Sequence, residues 1–242
     1  NRLAERGISA EGIVTSTERP TTIKERVLSD DKQVLRVDSE TDKTLSAHEQ
    51  TQLLEKAKKL LPLCQVVIFQ DYDKGVINAD IIEAMVMAAK ELGIPTVVDP
   101  KKRNFLAYKY VTLFKPNLKE LKEGLDIEVD PTDLDSLNQG VLKLTSKLDC
   151  DQVMVTLSEH GVFIKNETES FKLAAHKRQI NDVSGAGDTV ISIAALALAL
   201  GLDSNQIAAI SNLGGGLVCE HVGVVPIDKD SLLSEVEREI KF

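Results

Sequence analysis

Between about Gly12 and Glu40, apolar and polar residues alternate in short runs: "GIVTST", "TTIKERVLS" and "QVLRVDSE". A period of two is that of half-buried strands, and Pro20 and the Ser29–Asp30–Asp31 cluster sit where turns belong. The pattern predicts a small antiparallel β-meander. From Ser46 the period lengthens. "SAHEQTQLLEKAKKLLP" has helical spacing, and Ser46 followed three residues later by Glu49 is a capping-box signature. Continuous apolar runs then alternate with helical ones. "QVVIFQDY", "IPTVVDP" and "YVTLFKPN" read as strands; "ADIIEAMVMAAKELG", "LKELKEGL" and "PTDLDSLNQGVLKLTSKL" read as helices, the first closed by Gly93. "QVMVTLSEHGVFIKN" predicts two strands around a Glu159–His160–Gly161 turn, and "ESFKLAAH" a further strand. Three helices follow, starting near Gly187, Ser204 and Asp228.

Strands that are apolar on both faces, alternating with helices, imply an α/β fold: a mostly parallel sheet covered by helices on both sides. Such sheets bind ligands beyond the carboxyl ends of their strands. The polar residues there are Asp71, Asp99, Asn117 and Thr156. Each alone is as well explained by a helix cap or a turn; four converging on one edge point to a pocket.

The densest chemistry lies in "NDVSGAGDTVISIAALALALG". Gly185 and Gly187 let the backbone turn sharply and approach a ligand without a Cβ in the way. The apolar helix that follows, buried all round by its composition, has unpaired N–H groups and partial positive charge at its mouth. The amides of Ala186, Gly187 and Asp188 thus predict a cradle for a phosphoryl group. A carboxylate inside an anion cradle is repulsive unless it takes a proton from an attacking hydroxyl. A capped core helix needs one short polar residue, not D-x-x-G-x-G-D. The stretch is neither a GxxxxGK[ST] loop nor a GxGxxG turn.

Composition narrows the setting. The chain has 242 residues, 43% of them hydrophobic and 28% charged, as in ordinary globular domains. A net charge of −9 argues against a nucleic-acid surface while leaving room for a local basic pocket. Cys64, Cys150 and Cys219 are far apart, with no CxxC pair, and read as free thiols of a reducing compartment. No signal peptide is visible, and Val190–Leu200 is too short to span a bilayer. A cytoplasmic protein with no membrane or nucleic-acid partner is the expectation. The basic residues Lys74, Lys101, Lys102 and Arg103 follow strand ends, where a phosphorylated substrate wants cations. A solvated basic loop explains the last three about as well. Lys24, Arg26 and Arg36 on the meander suit a lid, or plain outward-facing positions.

"DVSGAGD" resembles the C-terminal signature of the ribokinase-type (PfkB) carbohydrate kinases, D-[TV]-x-G-A-G-D. The resemblance implies a ribokinase-like fold, with residues 12–40 as a β-meander lid and 41–242 as the kinase core. It also implies ATP and Mg²⁺ as cofactors and a small sugar as acceptor. Asp188 is then the catalytic base; Gly185, Ala186 and Gly187 form the anion hole; and Asp182, on the cofactor side, supports the loop and the metal's water shell. "KPNLKE" resembles the family's N-x-x-E motif, which puts Asn117 and Glu120 near magnesium, through water. "VTLSEHG" places Thr156, Ser158 and Gly161 near the phosphates or ribose. "ISNLGGGLVCEHVGVV" places Asn212 and Gly216 nearest adenine, although a tight helix–helix contact would explain its glycines equally well.

Within the family, "DVSGAGDTV", "PTTIKERVLSDDKQVLRVD", "DYDKGVI", "VVDPKKRNF" and "TLFKPNLKE" are most like the branch that phosphorylates D-glycero-β-D-manno-heptose 7-phosphate at O1. That puts Asp71, Lys74, Asp99, Lys101 and Arg103 on the substrate side. In that branch the kinase is often fused to an adenylyltransferase marked by H-x-G-H. His48, His160, His176 and His221 form no such motif, so the second activity is expected on another chain. The family's first βαβ units, with their sugar-binding glycine segment, have no counterpart here. The resemblance therefore implies a chain able to bind nucleotide but lacking one wall of the sugar pocket. A homodimer through the meander's apolar face is also expected.

Overall fold

The computed structural model describes residues 2–29 and 32–240. After a single helical turn, α1 (Arg2–Glu5), come two strands, β1 (Ile23–Ser29) and β2 (Lys32–Ser39), paired antiparallel as a separate ribbon. The remaining strands are β3 (Val67–Gln70), β4 (Thr96–Asp99), β5 (Leu113–Phe114), β6 (Gln152–Thr156), β7 (Val162–Lys165) and β8 (Ser170–Leu173). They form one sheet in chain order, parallel from β3 to β6 and antiparallel from β6 to β8. The helices are α2 (Ala47–Leu60), α3 (Ala79–Glu91), α4 (Leu118–Leu125), α5 (Leu134–Leu148), α6 (Ala186–Ala199), α7 (Ser204–Val218) and α8 (Lys229–Glu239).

Strand alternation sorts the core into two layers. Phe69, Val98, Phe114, Val153, Val155 and Phe163 point to one face, where they pack with α3, α4 and α5. Val97, Leu113, Met154, Val162 and Ile164 point to the other, against α6 and α7. The helix starts follow their caps: Ser46 with Glu49, Asn117 with Glu120 and Asp203 with Gln206 are all reciprocal capping boxes.

Three expectations are corrected. The meander is a two-stranded ribbon. The "GIVTST" run pairs with no strand, and its polar groups go elsewhere: the Ile13 carbonyl accepts from Lys56 Nζ at 2.7 Å, and Ser16 Oγ accepts from the Glu18 and Arg19 amides. The Asp30–Asp31 turn lies outside the described residues. The strand predicted over "YVTLFKPN" shrinks to Leu113–Phe114, since Tyr110 adopts φ 63° and its amide bonds the Leu148 carbonyl. Helix α6 is not buried all round, for Leu196 is 64% exposed and Leu200, just past its end, is 79% exposed.

The question over the α7 glycines is settled for two of them. A Cβ on Gly214 would lie 2.1 Å from Ile193 Cδ1, and one on Gly215 would lie 2.6 Å from Val190 Cγ2. Both are pressed against α6, and the helix–helix contact explains them.

Candidate active site

The carboxyl ends of β3 to β6 and the mouth of α6 meet at one edge of the sheet. The chain enters α6 through Gly185, which takes φ 84° and supplies no side-chain cap. Upstream, the Asn181 and Asp182 amides both donate to the Cys219 carbonyl beyond α7. The Asp182 carboxylate accepts from the Ser184 amide at 2.9 Å and from the Gly223 amide at 2.9 Å. Those bonds, the Ser184 amide foremost, hold its pKa below the usual carboxylate range. Asp182 is thus the brace of the loop. The Ala186 amide is already bonded to the Val183 carbonyl at 3.2 Å, so it is not an open donor of the cradle. The Gly187 and Asp188 amides have no acceptor among the described residues. Asp188 is exposed in the first turn, and Tyr72 Oη donates to its Oδ1 at 3.3 Å.

Beneath this mouth lies a buried ion pair. Lys115 Nζ stands 3.2 Å from Asp99 Oδ1, with both side chains less than a tenth exposed. Gln70 Nε2 donates to Asp99 Oδ2 at 3.1 Å. The same Oδ2 is 3.8 Å from where a Gly187 Cβ would stand, so Asp99 floors the cradle. Lys115 went unnoticed in the sequence, where a lysine closing a strand reads as a solvated end.

Asp71 is 1% exposed. Its carboxylate accepts from Tyr108 Oη at 2.8 Å, Asn104 Nδ2 at 3.0 Å and the Asp73 amide at 2.7 Å. This geometry makes it the anchor of the segment after β3. Gly75 belongs to the same segment: it has φ 74°, and a Cβ there would lie 2.0 Å from the Lys43 carbonyl, so only glycine admits the crossing of the ribbon's root.

Three of the four basic residues after the strand ends have carboxylate partners, and Lys102 has none among the described residues. Lys74 pairs with Glu40, Lys101 with Glu120, and Arg103 with Asp42 at 3.2 Å and Asp73 at 2.9 Å. Burial opposes the Lys101 charge, but Glu120 outweighs it and the pKa goes up. Lys24 of the ribbon reaches Glu40 at 3.4 Å. Thr22, Lys24 and Glu40 face Gln70, Tyr72 and Lys74 across a cleft of about 590 Å³. The ribbon's charged face, with Lys24 opposite Asp38 and Arg26 opposite Arg36, is the one that carries Lys24 to this cleft.

On the other side of the edge, Asn117 and Glu120 form their capping box, and Thr156 bridges to Asn117 at the end of β6. Glu120 keeps unused lone pairs beyond the Asn117 amide and Lys101. A hydrated Mg²⁺, which retains several waters and takes one or two carboxylates, fits that donor set. Ser158 takes φ 53°. Gly161, at φ 86°, would put a Cβ 2.0 Å from the Leu173 carbonyl, so its glycine serves the β7–β8 crossing. Asn212 Nδ2 donates to the Ala174 carbonyl at 2.9 Å, and Gly216 faces the Arg178 side chain, 3.2 Å from its would-be Cβ. The structure therefore brings Tyr72, Asp99, Gly187 and Asp188 together, while Asn212 and Gly216 lie on α7 beside the 174–178 segment. Among the described residues no group of three or more His, Cys, Asp or Glu side chains converges as a metal site. No described helix is long and apolar enough to cross a membrane.

A helix mouth set against the carboxyl edge of a mostly parallel sheet, with a ribbon over an adjacent cleft, is the layout of a ribokinase-like sugar kinase. The profile of the pfkB family carbohydrate kinases matches residues 1–230, and the chain belongs to that family. It is 33% identical over 237 residues, 98% of its length, to a protein of Desulfatibacillum aliphaticivorans named bifunctional protein HldE. It is 36% identical over 234 residues to the protein of that name from Methylobacillus flagellatus. In each case it spans about half of the relative's length, 48%. Among solved structures it resembles the tetrameric inhibited form of phosphofructokinase-2 from Escherichia coli, with a TM-score of 0.75 and 17% identity, over 98% of this chain and 77% of that one. It also resembles Arabidopsis thaliana ribokinase complexed with ribose and ATP, with a TM-score of 0.69 and 19% identity, over 89% and 69%. These structures show the fold. The relatives' name, bifunctional, lends no support to a second activity on a separate chain.

Proposed function

We propose that this chain carries the phosphotransfer site of a sugar-phosphate kinase, moving the γ-phosphoryl group of ATP to O1 of D-glycero-β-D-manno-heptose 7-phosphate. That reaction would serve the synthesis of ADP-heptose for the lipopolysaccharide core. The observation that carries the reading is Asp188, exposed in the first turn of α6 beside the open Gly187 and Asp188 amides. Asp188 takes the proton of the acceptor hydroxyl as that oxygen attacks in line. The two amides and the helix mouth stabilise the charge that spreads over the phosphoryl oxygens. Asn117 and Glu120 would hold a hydrated Mg²⁺, which neutralises phosphate charge when bound.

The substrate assignment rests on the HldE relatives and on the basic residues beside the cleft. Lys74, Lys101 and Arg103 are candidates for the acceptor's phosphate, with Lys24 closing from the ribbon. Asn212 and Gly216, and Thr156, Ser158 and Gly161, remain candidates for the nucleotide side. The ribbon is proposed as a lid. Its opposite face, with Ile23, Val27, Leu35 and Val37 about half exposed, is proposed to be covered by a second copy of the chain.

One observation favours a different acceptor. Lys74, Lys101 and Arg103 are already neutralised by Glu40, Glu120, Asp42 and Asp73, so a substrate phosphate must displace carboxylates that a neutral sugar would leave in place. Coupled ADP release, measured on the protein with a panel of sugars and sugar phosphates, separates the readings. Turnover with heptose 7-phosphate well above that with neutral sugars is expected. Turnover with neutral sugars alone removes the phosphate assignment. Nucleotide binding with no turnover on any acceptor favours a silent regulatory module.

A further inference from the structure

Tyr72 is joined to the phosphotransfer site only by the fold, since 116 residues separate it from Asp188. Its backbone is held on both sides. Asp71 before it is buried and bonded to Tyr108, Asn104 and the Asp73 amide. Asp73 after it takes φ 56° and meets Arg103 Nε at 2.9 Å. The ring itself is more than half exposed, so packing does not explain it. Its hydroxyl instead crosses from the end of β3 to the mouth of α6 and donates to Asp188 Oδ1. Asp188 Oδ2 has no protein partner among the described residues.

We infer that Tyr72 is a positioning residue for Asp188: its phenol fixes the carboxylate through Oδ1 and so presents Oδ2 to the acceptor hydroxyl. This rests on the reading of Asp188 as the base. An exposed aspartate on a helix's first turn otherwise samples several rotamers, and general-base catalysis needs the acceptor's proton within hydrogen-bond reach. The phenol must stay protonated to donate. It does, because burial and the neighbouring Asp188 and Asp99 carboxylates all push its pKa up.

The test pairs Tyr72→Phe kinetics with a contact measurement that needs no turnover. Tyr72→Phe is expected to lower kcat about tenfold, with KM for nucleotide and acceptor within about twofold. In protein carrying ¹³Cζ-tyrosine, the Tyr72 resonance, assigned by its loss in Tyr72→Phe, should titrate above the usual value of about 10. In Asp188→Asn it should titrate lower, with Asp99 the remaining acidic neighbour. A wild-type protein that turns over while Tyr72→Phe matches it in kcat overturns the inference and leaves the kinase reading standing. A Tyr72→Phe effect confined to acceptor KM also overturns it, since the phenol would then bind substrate. A Tyr72 titration indifferent to Asp188→Asn shows that the contact is absent in solution. Absence of turnover in wild type with the titration shift intact sinks the kinase reading but not the contact.

Discussion

Asp188→Asn is expected to lower kcat by about 10²–10⁴, with nucleotide affinity changed less than about threefold. The substitution keeps shape and hydrogen-bonding reach and removes only the basic oxygen. Asp188 is exposed at the first turn of α6, so no burial is disturbed, and the helix start remains intact. The open Gly187 and Asp188 amides stay in place, which is why residual turnover and nucleotide binding should survive. Losing the negative charge beside a phosphate site also relieves repulsion, so nucleotide binding should hold or tighten slightly. The check is steady-state kinetics with calorimetric titration of an ATP analogue. A variant with full kcat would show that the carboxylate plays no part in the proton transfer.

Asp99→Ala is expected to destabilise the protein by about 3–5 kcal/mol, because it strands the Lys115 ammonium in the interior. Lys115 is 2% exposed and stands 3.2 Å from Asp99, so its charge has no route to water without local opening. Gln70 would lose its acceptor as well. The double variant Asp99→Leu/Lys115→Met removes both charges and should recover most of the loss. Urea unfolding of the single and double variants measures this. The site should suffer even in the double variant, because Asp99 lies directly under Gly187 and the cradle would lose its floor. A single variant within about 1 kcal/mol of wild type would mean that the pair is solvated.

The alternation of apolar runs was enough to place the β–α units, and the capping box at Ser46 was legible because it is a local contact between residues three apart, whereas the same contact at Asn117 was read as an N-x-x-E motif. The start of α6 was legible from the glycines of D-x-x-G-x-G-D, since Gly185 takes a left-handed turn and supplies no side-chain cap. What the sequence could not carry was set by distant partners. Two-residue alternation in "GIVTST" looked like a strand, but a strand needs a neighbour, and Lys56 and Glu49's helix took that segment instead. Tyr110 broke the predicted β5 run through a left-handed backbone that no local motif announced. Gly214 and Gly215 fitted either a ligand or a helix, and only the positions of Ile193 and Val190 decided between them. Asp71 looked like a ligand-facing strand end and is a buried anchor, and nothing local marked Lys115, whose burial is set by its pairing with Asp99. Tyr72 sat inside a quoted segment, yet its partner lies across the sheet edge.

In the proposed reaction the phosphoryl group lands on the mouth of α6. The most direct measurement follows the backbone amide resonances of Gly187 and Asp188 while the protein is titrated with Mg²⁺ and a non-hydrolysable ATP analogue. Both are expected to shift strongly and to saturate with the nucleotide, while the Ala186 amide, already bonded to Val183, shifts less. Saturating nucleotide that leaves both resonances where they were would contradict the account.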